Sequence, residues 1–462
     1  MRRMRGAALA WLLAVTACNS VDDVDERVLG PDGQITAGEA DFTRYVAIGD
    51  SYGAGVVNGA FTCSGQIFAY PTLIARQVGL QVPDTCSPPE RLAADFSAFQ
   101  QPLITDPGVG SPLVLTSPGP PPVITPVPAT GTPTNGDLFR PFNNLSVPGA
   151  DLEEINVAVN QATSLDQNSA FNVVLRGIGT APDQAAALDA TFITFFLGGN
   201  DVLRSVLSGG TVEPTPAGTF RTQYRTAIAD LLEVTPDIVL ANIGDVAAFP
   251  FATTIPPVVV DPATQQPVLG PNGQPIPLIG PEGRNLNPQN DLVTLQAASL
   301  LAQGIGVPVA VGGTGAPLPD EVVLSGSELN RIRNAAEAYN EAIAEVALEA
   351  DLVLVDVAAE LQAALAAEGI LQTTGGPLSI RFLGGGVAPP FFGLDGIHPT
   401  PKGYGHIANL FIEAINAEFG ASIPLVEVGA LPTLIGPSTA QDLTPSPFLA
   451  VGWPAGVELD SW

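Results

Sequence analysis

The sequence predicts an α/β protein with three layers, α/β/α, around a mostly parallel sheet. Three observations carry this. Short runs such as 45–48 and 191–197, the latter apolar but for Thr191 and Thr194, do not alternate, the pattern of strands buried on both faces. Stretches with helical spacing separate them, as crossover connections between parallel strands require. Two of these runs stop at clusters of glycine and small polar residues, where the carboxyl edge of such a sheet gathers its chemistry.

In chain order, the strand at 45–48 runs into Gly49-Asp50-Ser51-Tyr52-Gly53. A helix is expected over 66–78, where Phe68, Leu73, Ile74 and Val78 share a face, and another over 150–162. Strand 191–197 follows, then helix 220–232, strand 237–243, the long helix 328–349 and strand 351–356. Helices at 357–367 and 401–419 close the pattern. Two inserts interrupt it, near 99–142 and 250–288, both rich in proline. The first contains Pro-Gly-Pro-Pro-Pro at 118–122. The second contains Pro271-Asn272-Gly273-Gln274 between apolar strips, a hairpin signal. Each insert leaves the core near a cluster of polar residues, so each either walls a pocket or covers the core.

With 462 residues, 46% of them hydrophobic, the chain suffices for one large domain, here 42–424, followed by an apolar tail at 425–462. Its net charge of −29, with Lys402 the sole lysine, excludes nucleic acid as a partner, because such a surface repels phosphate. The acidity itself requires no more than solubility or a saline habitat. A monomer is expected.

Residues 1–17 read as an export signal: Arg2, Arg3 and Arg5 precede an apolar stretch at 7–17 that is too short to span a bilayer. It ends in Val15-Thr16-Ala17-Cys18, which resembles a bacterial lipobox with Cys18 as the lipidated residue. An ordinary signal peptide is the alternative. Lipidation would make 18–41 a tether to a membrane in the cell envelope, with Asn19 favouring the outer over the inner membrane. Cys63 and Cys86 are then an even pair in an oxidising compartment. A disulfide between them would contribute about 3 kcal/mol through the restricted unfolded chain. Zinc is the rival use of two cysteines, but no histidine lies nearby in sequence to complete a site.

The chemistry follows from scarcity. A serine hydroxyl at a strand-to-turn junction is a poor nucleophile without a base, and the chain has only two histidines. His398, three residues after Asp395, is the better candidate; His406, eight residues on, reads as structural. Between Ser51 and His398 lie Asn144-Leu145-Ser146-Val147-Pro148-Gly149, which offers a backbone N–H at a turn, and Gly198-Gly199-Asn200-Asp201, which ends strand 191–197. Taken singly, each has a plainer use. Gly-Asp-Ser is a common turn, Asn200-Asp201 suits a helix cap, and Asp50 and Asp201 suit local hydrogen bonds that shape their turns.

Together, in this order, the four blocks resemble the SGNH (GDSL-type) hydrolases, a family of esterases and lipases with a flavodoxin-like sheet. The likeness covers roughly 42–424. It implies Ser51 as nucleophile, and His398 with Asp395 as the acid–base pair. The implied oxyanion donors are the Ser51 and Gly149 N–H groups and the Asn200 side chain. It also implies cleavage of carboxylic esters through an acyl-enzyme, with no metal and no cofactor. Tyr52 departs from the family pattern, which has leucine there, and bears on substrate fit. Two other functions compete. A metallophosphoesterase would need more histidines than two. A binding lipoprotein on a hydrolase scaffold would have no use for the full set of polar residues. Lipid esters, acetylated sugars and thioesters all suit such machinery; a membrane tether and apolar inserts lean toward a small-molecule or lipid ester with an acyl chain.

Overall fold

Four short strands set the architecture: β1 (Tyr45–Gly49), β2 (Phe192–Phe196), β3 (Ile238–Ala241) and β4 (Val353–Val355). They pair in that order, all parallel, with Tyr45 opposite Phe192 and Gly49 opposite Phe196. Every residue of β1, β2 and β3 is buried, as helices on both faces demand. The computed structural model describes residues 36–83, 86, 98–117, 123–262 and 264–433. The export signal, Cys18, the tether up to residue 35, the proline run 118–122 and the tail from 434 onward lie outside the described residues.

A further ladder lies on the free edge of β1. Ala47 N–H donates to the Asn143 carbonyl (2.9 Å), and the N–H groups of Leu145 and Val147 donate to Ala47 and Gly49 (2.8 and 2.9 Å). Segment 143–147 therefore lies on one side of β1 and β2 on the other. The connections diverge there, which makes the carboxyl end of β1 the topological switch point, where ligands of open α/β sheets bind.

Neighbouring residues of β2 show the three layers. Phe196 meets Tyr70 and Phe411 at ring distances of 6.1 and 6.3 Å, and Phe195 meets Tyr224 at 5.5 Å. Adjacent strand residues point to opposite faces. The helices carrying Tyr70 (Tyr70–Gln77) and Phe411 (Pro401–Phe419) thus cover one face, and the helix carrying Tyr224 (Ala217–Leu232) covers the other. The long helix Gly326–Ala350 joins the second face through the stacked rings of Tyr339 and Phe220, 4.0 Å apart. Its start is a capping box between Ser325 and Glu328. Thr400 caps helix Pro401–Phe419, with Pro401 in its first turn, and Gly420 at φ +62° ends it.

Two expected helices are corrected. Over 150–162 there are only 3-10 turns, at Leu152–Glu154 and Gln161–Thr163. Side chains take the backbone groups a helix would need: Asp151 and Glu154 form one capping box and Asn160 and Thr163 another. The helix at 66–78 is two pieces, Cys63–Gln66 and Tyr70–Gln77, with Ala69 extended and Pro71 opening the second.

In the inserts, Leu113–Ser117 pairs antiparallel with Val123–Pro126. Around 258–277 the strips meet only as isolated bridges, such as Val258 with Pro277 and Leu269 with Pro275, because proline cannot donate to a ladder. The Gly270–Gly273 turn, with Gly273 at φ +74°, reverses the chain there. Cys63 and Cys86 are disulfide-bonded. Lys402 Nζ donates to the carbonyls of Val428 and Gly429 (3.0 and 2.8 Å), which holds the described start of the C-terminal segment against the domain.

Candidate active site

β1 must end in glycine: a Cβ at Gly49 would lie 2.7 Å from the Phe196 carbonyl oxygen. Asp50 then caps the short helix Ser51–Ala54, accepting from the Tyr52 N–H at 2.9 Å. Ser51 is the first residue of that helix, so its N–H has no acceptor within it. Burial pushes the Asp50 carboxyl up to about 6, against the opposing pull of the Tyr52 N–H and the His398 charge.

The next piece is a turn, Val147–Ala150, closed by Ala150 N–H on the Val147 carbonyl at 3.1 Å. Pro148 and Gly149 occupy its centre, and Gly149 has φ +77°, a combination that favours glycine after proline. The turn is pinned on several sides. Asn168 Nδ2 donates to the Pro148 carbonyl (2.7 Å) and the Leu152 N–H donates to Asp201 Oδ2 (2.9 Å). Arg204 pairs with Asp151 at 3.3 Å. Burial, together with the charge of Asp151, pushes Asp201 up to about 7.

Asn200 stands where β2 gives way to the helix Asn200–Leu207. Gly199 is the N-cap of this helix and makes no side-chain cap bond. Asn200 is the first helical residue, and its Nδ2 donates across to the Ala150 carbonyl at 2.7 Å. The capping use of Asn200-Asp201 is thereby replaced: the Asn200 side chain reaches the turn that holds Gly149, and the Asp201 side chain the Leu152 N–H just after it. One of the two amide hydrogens of Asn200 is spent on Ala150.

Asp395 and His398 complete the site. Asp395 Oδ2 lies 2.8 Å from His398 Nδ1, while Oδ1 accepts the N–H groups of Ile397 and His398, both at 2.9 Å. The Gly59 N–H also donates to Oδ2. Asp395 is fully buried. Burial works to raise its carboxyl, but the His398 charge and these hydrogen bonds outweigh it and hold it below its ordinary range. Such a carboxylate orients the imidazole and favours Nδ1 as the protonated nitrogen. His406 is turned elsewhere, with Nε2 3.0 Å from Glu360 Oε1.

Ser51, Gly149, Asn200 and His398 line one cleft, with Asn168 and Arg204 beside them; Asp395 sits behind His398. The expected residues converge, apart from the cysteines, which belong to other parts of the chain. Sequence reasoning missed three contributors. The Gly59 N–H and the Asn168 amide had no local signal. Arg204, four residues after Asn200 and so on the same helix face, did. Tyr52, expected to bear on substrate fit, also makes a structural contact. Its hydroxyl donates to the Ile397 carbonyl at 2.7 Å, tying the helix of Ser51 to the loop of Asp395 and His398. Tyr52→Phe leaves that buried carbonyl without its donor and is expected to cost about 1 kcal/mol of stability, measured by urea unfolding; an unchanged midpoint would show that the tie contributes nothing.

A strand-end serine and an aspartate-oriented histidine that line one cleft, on a parallel α/β sheet, fit the class of α/β hydrolytic enzymes. The chain belongs to the family of GDSL-like lipases and acylhydrolases, whose family model matches residues 45–411, and it is an ester-hydrolysing enzyme. It is similar to the extracellular lipase of Streptomyces rimosus (13% identity, TM-score 0.32, covering 81% of this chain and 98% of that one). It is also similar to phospholipase A1 of Streptomyces albidoflavus (12%, 0.31, 81% and 98%). A third similar structure is a variant of an acetyl xylan esterase from Geobacillus stearothermophilus (12%, 0.29, 62% and 73%). No curated protein gives a significant match.

Proposed function

We propose that the protein hydrolyses carboxylic esters through an acyl-enzyme on Ser51. The observation that carries this is the convergence of Ser51, Gly149, Asn200 and His398 on one cleft at the switch point of the sheet. His398 Nε2 takes the Ser51 proton as Oγ attacks the ester carbonyl, and Asp395 stabilises the imidazolium that forms. The N–H groups of Ser51 and Gly149 and the second amide hydrogen of Asn200 meet the developing oxyanion. Collapse expels the alcohol, which receives the proton from His398. Water then attacks the acyl-enzyme, with His398 again as base, and releases the acid and free Ser51.

Asn200 supplies the test of the oxyanion site. If it donates to the transition state alone, Asn200→Ala lowers kcat and kcat/KM together by about 100-fold or more, with KM little changed. A rise in KM with kcat intact would assign Asn200 to ground-state binding and remove the oxyanion role.

The proposal includes a lipid on Cys18 that tethers the enzyme to the cell envelope, with the outer membrane favoured. The basic and apolar stretch before Cys18 supports it. Mass analysis of the exported protein is expected to find an acylated Cys18 as the first residue; an unmodified N-terminus would remove the tether.

A further inference from the structure

Side chains hold three consecutive carbonyls of the turn beside Ser51: Asn168 Nδ2 donates to Pro148 at 2.7 Å, Arg204 Nη2 to Gly149 at 3.4 Å, and Asn200 Nδ2 to Ala150 at 2.7 Å. Only the first of these bonds fixes the direction of the Gly149 N–H. That N–H and the Pro148 carbonyl belong to one planar trans peptide and point opposite ways. The Gly149 N–H has no acceptor among the described residues, and Gly149 lines the cleft.

Resting on the serine-esterase reading above, we infer that Asn168 is a positioning residue for the oxyanion site: it holds the Pro148–Gly149 peptide so that the Gly149 N–H faces the reacting carbonyl. With proline second and Gly149 third at φ +77°, the turn is type II. Rotating its central peptide gives type I, in which the third residue has φ of about −90°, and glycine takes either sign of φ freely. The flip would turn the N–H away and bring the Pro148 carbonyl oxygen round in its place. A donor would become an acceptor set against developing negative charge. Asn168 opposes that flip from a fixed position. It is 4% exposed, and its Oδ1 accepts the Ala170 N–H at 2.9 Å, which leaves the Nδ2 end of the amide for Pro148. Its own N–H donates to Ser164 Oγ at 2.7 Å, in the loop before helix Ala170–Val174.

The test compares Asn168→Ala and Asn168→Asp with the wild type and with Asn200→Ala. The probes are p-nitrophenyl butyrate and an alkyl trifluoromethyl ketone. Ser51 Oγ bonds to the carbonyl carbon of the ketone while His398 takes the serine proton, which leaves a tetrahedral oxyanion in the site. Asn168→Asp keeps an acceptor for the Ala170 N–H but sets an oxygen against the Pro148 carbonyl. Both variants are expected to lower kcat by about 10- to 100-fold, the larger figure matching loss of a whole oxyanion donor, with KM changed less than about twofold. The inhibition constant of the ketone should rise by the factor by which kcat/KM falls. A lower melting temperature with kcat and ketone affinity intact would make Asn168 a stabiliser of its loop and overturn the inference. So would a rise in KM alone, or failure of both variants to fold. Folded Asn168 variants that match the wild type while Asn200→Ala loses activity would sink Asn168 and leave the esterase reading standing. A wild type inert toward both probes would sink the esterase reading, and this inference with it.

Discussion

Ser51→Ala is expected to lower kcat for ester hydrolysis by about 10⁴-fold or more, leaving only what the oxyanion donors and binding supply. The fold should be unaffected. Ser51 is 5% exposed, and alanine removes one atom while keeping the backbone N–H at the start of its helix. Steady-state kinetics together with thermal unfolding check both halves. Turnover above a few per cent of wild type, in a variant that melts like wild type, would sink the serine mechanism. A variant that melts far lower would instead show that Ser51 carries structure.

Asp395→Asn is the second large effect, with an expected loss in kcat of up to about 10⁴-fold, because an amide presents the wrong partner to His398 Nδ1 and favours the wrong tautomer. The same substitution should weaken the fold. Asp395 gathers the N–H groups of Gly59, Ile397 and His398, and an amide has a single oxygen with which to accept them, so a cost of about 1–3 kcal/mol is expected. The pH dependence has a definite sign. The folded carboxyl is held below its ordinary value of 3.8, so its contribution to stability is fully present above that value. It is lost as pH falls through the lower folded value. Acid unfolding of the wild type should therefore include a step below about pH 4 that Asp395→Asn lacks. A loss in kcat under about tenfold, in a folded variant, would mean that another group orients His398.

Much of this was legible in the chain because the signals are local. An apolar run ending in Gly49-Asp50-Ser51 specifies a buried strand with a polar group at its end. The second such junction, Gly198-Gly199-Asn200, repeats the message. Ser325 with Glu328, and Thr400 with Pro401, announce helix starts through bonds that span only three residues. Scarcity helped as well: with two histidines, one of them three residues after an aspartate, the sequence already singled out His398 as the candidate base.

The helix expected at 150–162 failed for a physical reason. The stretch 150–162 has helical spacing, yet Asp151, Glu154 and Asn160 turn their side chains onto its backbone and onto distant groups. Periodicity reports which residues favour burial, not what competes for the N–H groups.

By itself, then, the sequence determined the layer order and the strand ends and brought forward the candidate site residues, because each depends on neighbours a few positions apart. Only the tertiary structure decided what holds them in place. Asn200 is aimed by the Ala150 carbonyl 50 residues away, Asp395 by the Gly59 N–H 336 residues away, and the His398 loop by the Tyr52 hydroxyl 345 residues away. An apolar cavity beside Ser51 is likewise assembled from the ends of four strands. Contacts at such separations depend on how loops cross the edge of the sheet, and no spacing rule along the chain records that crossing.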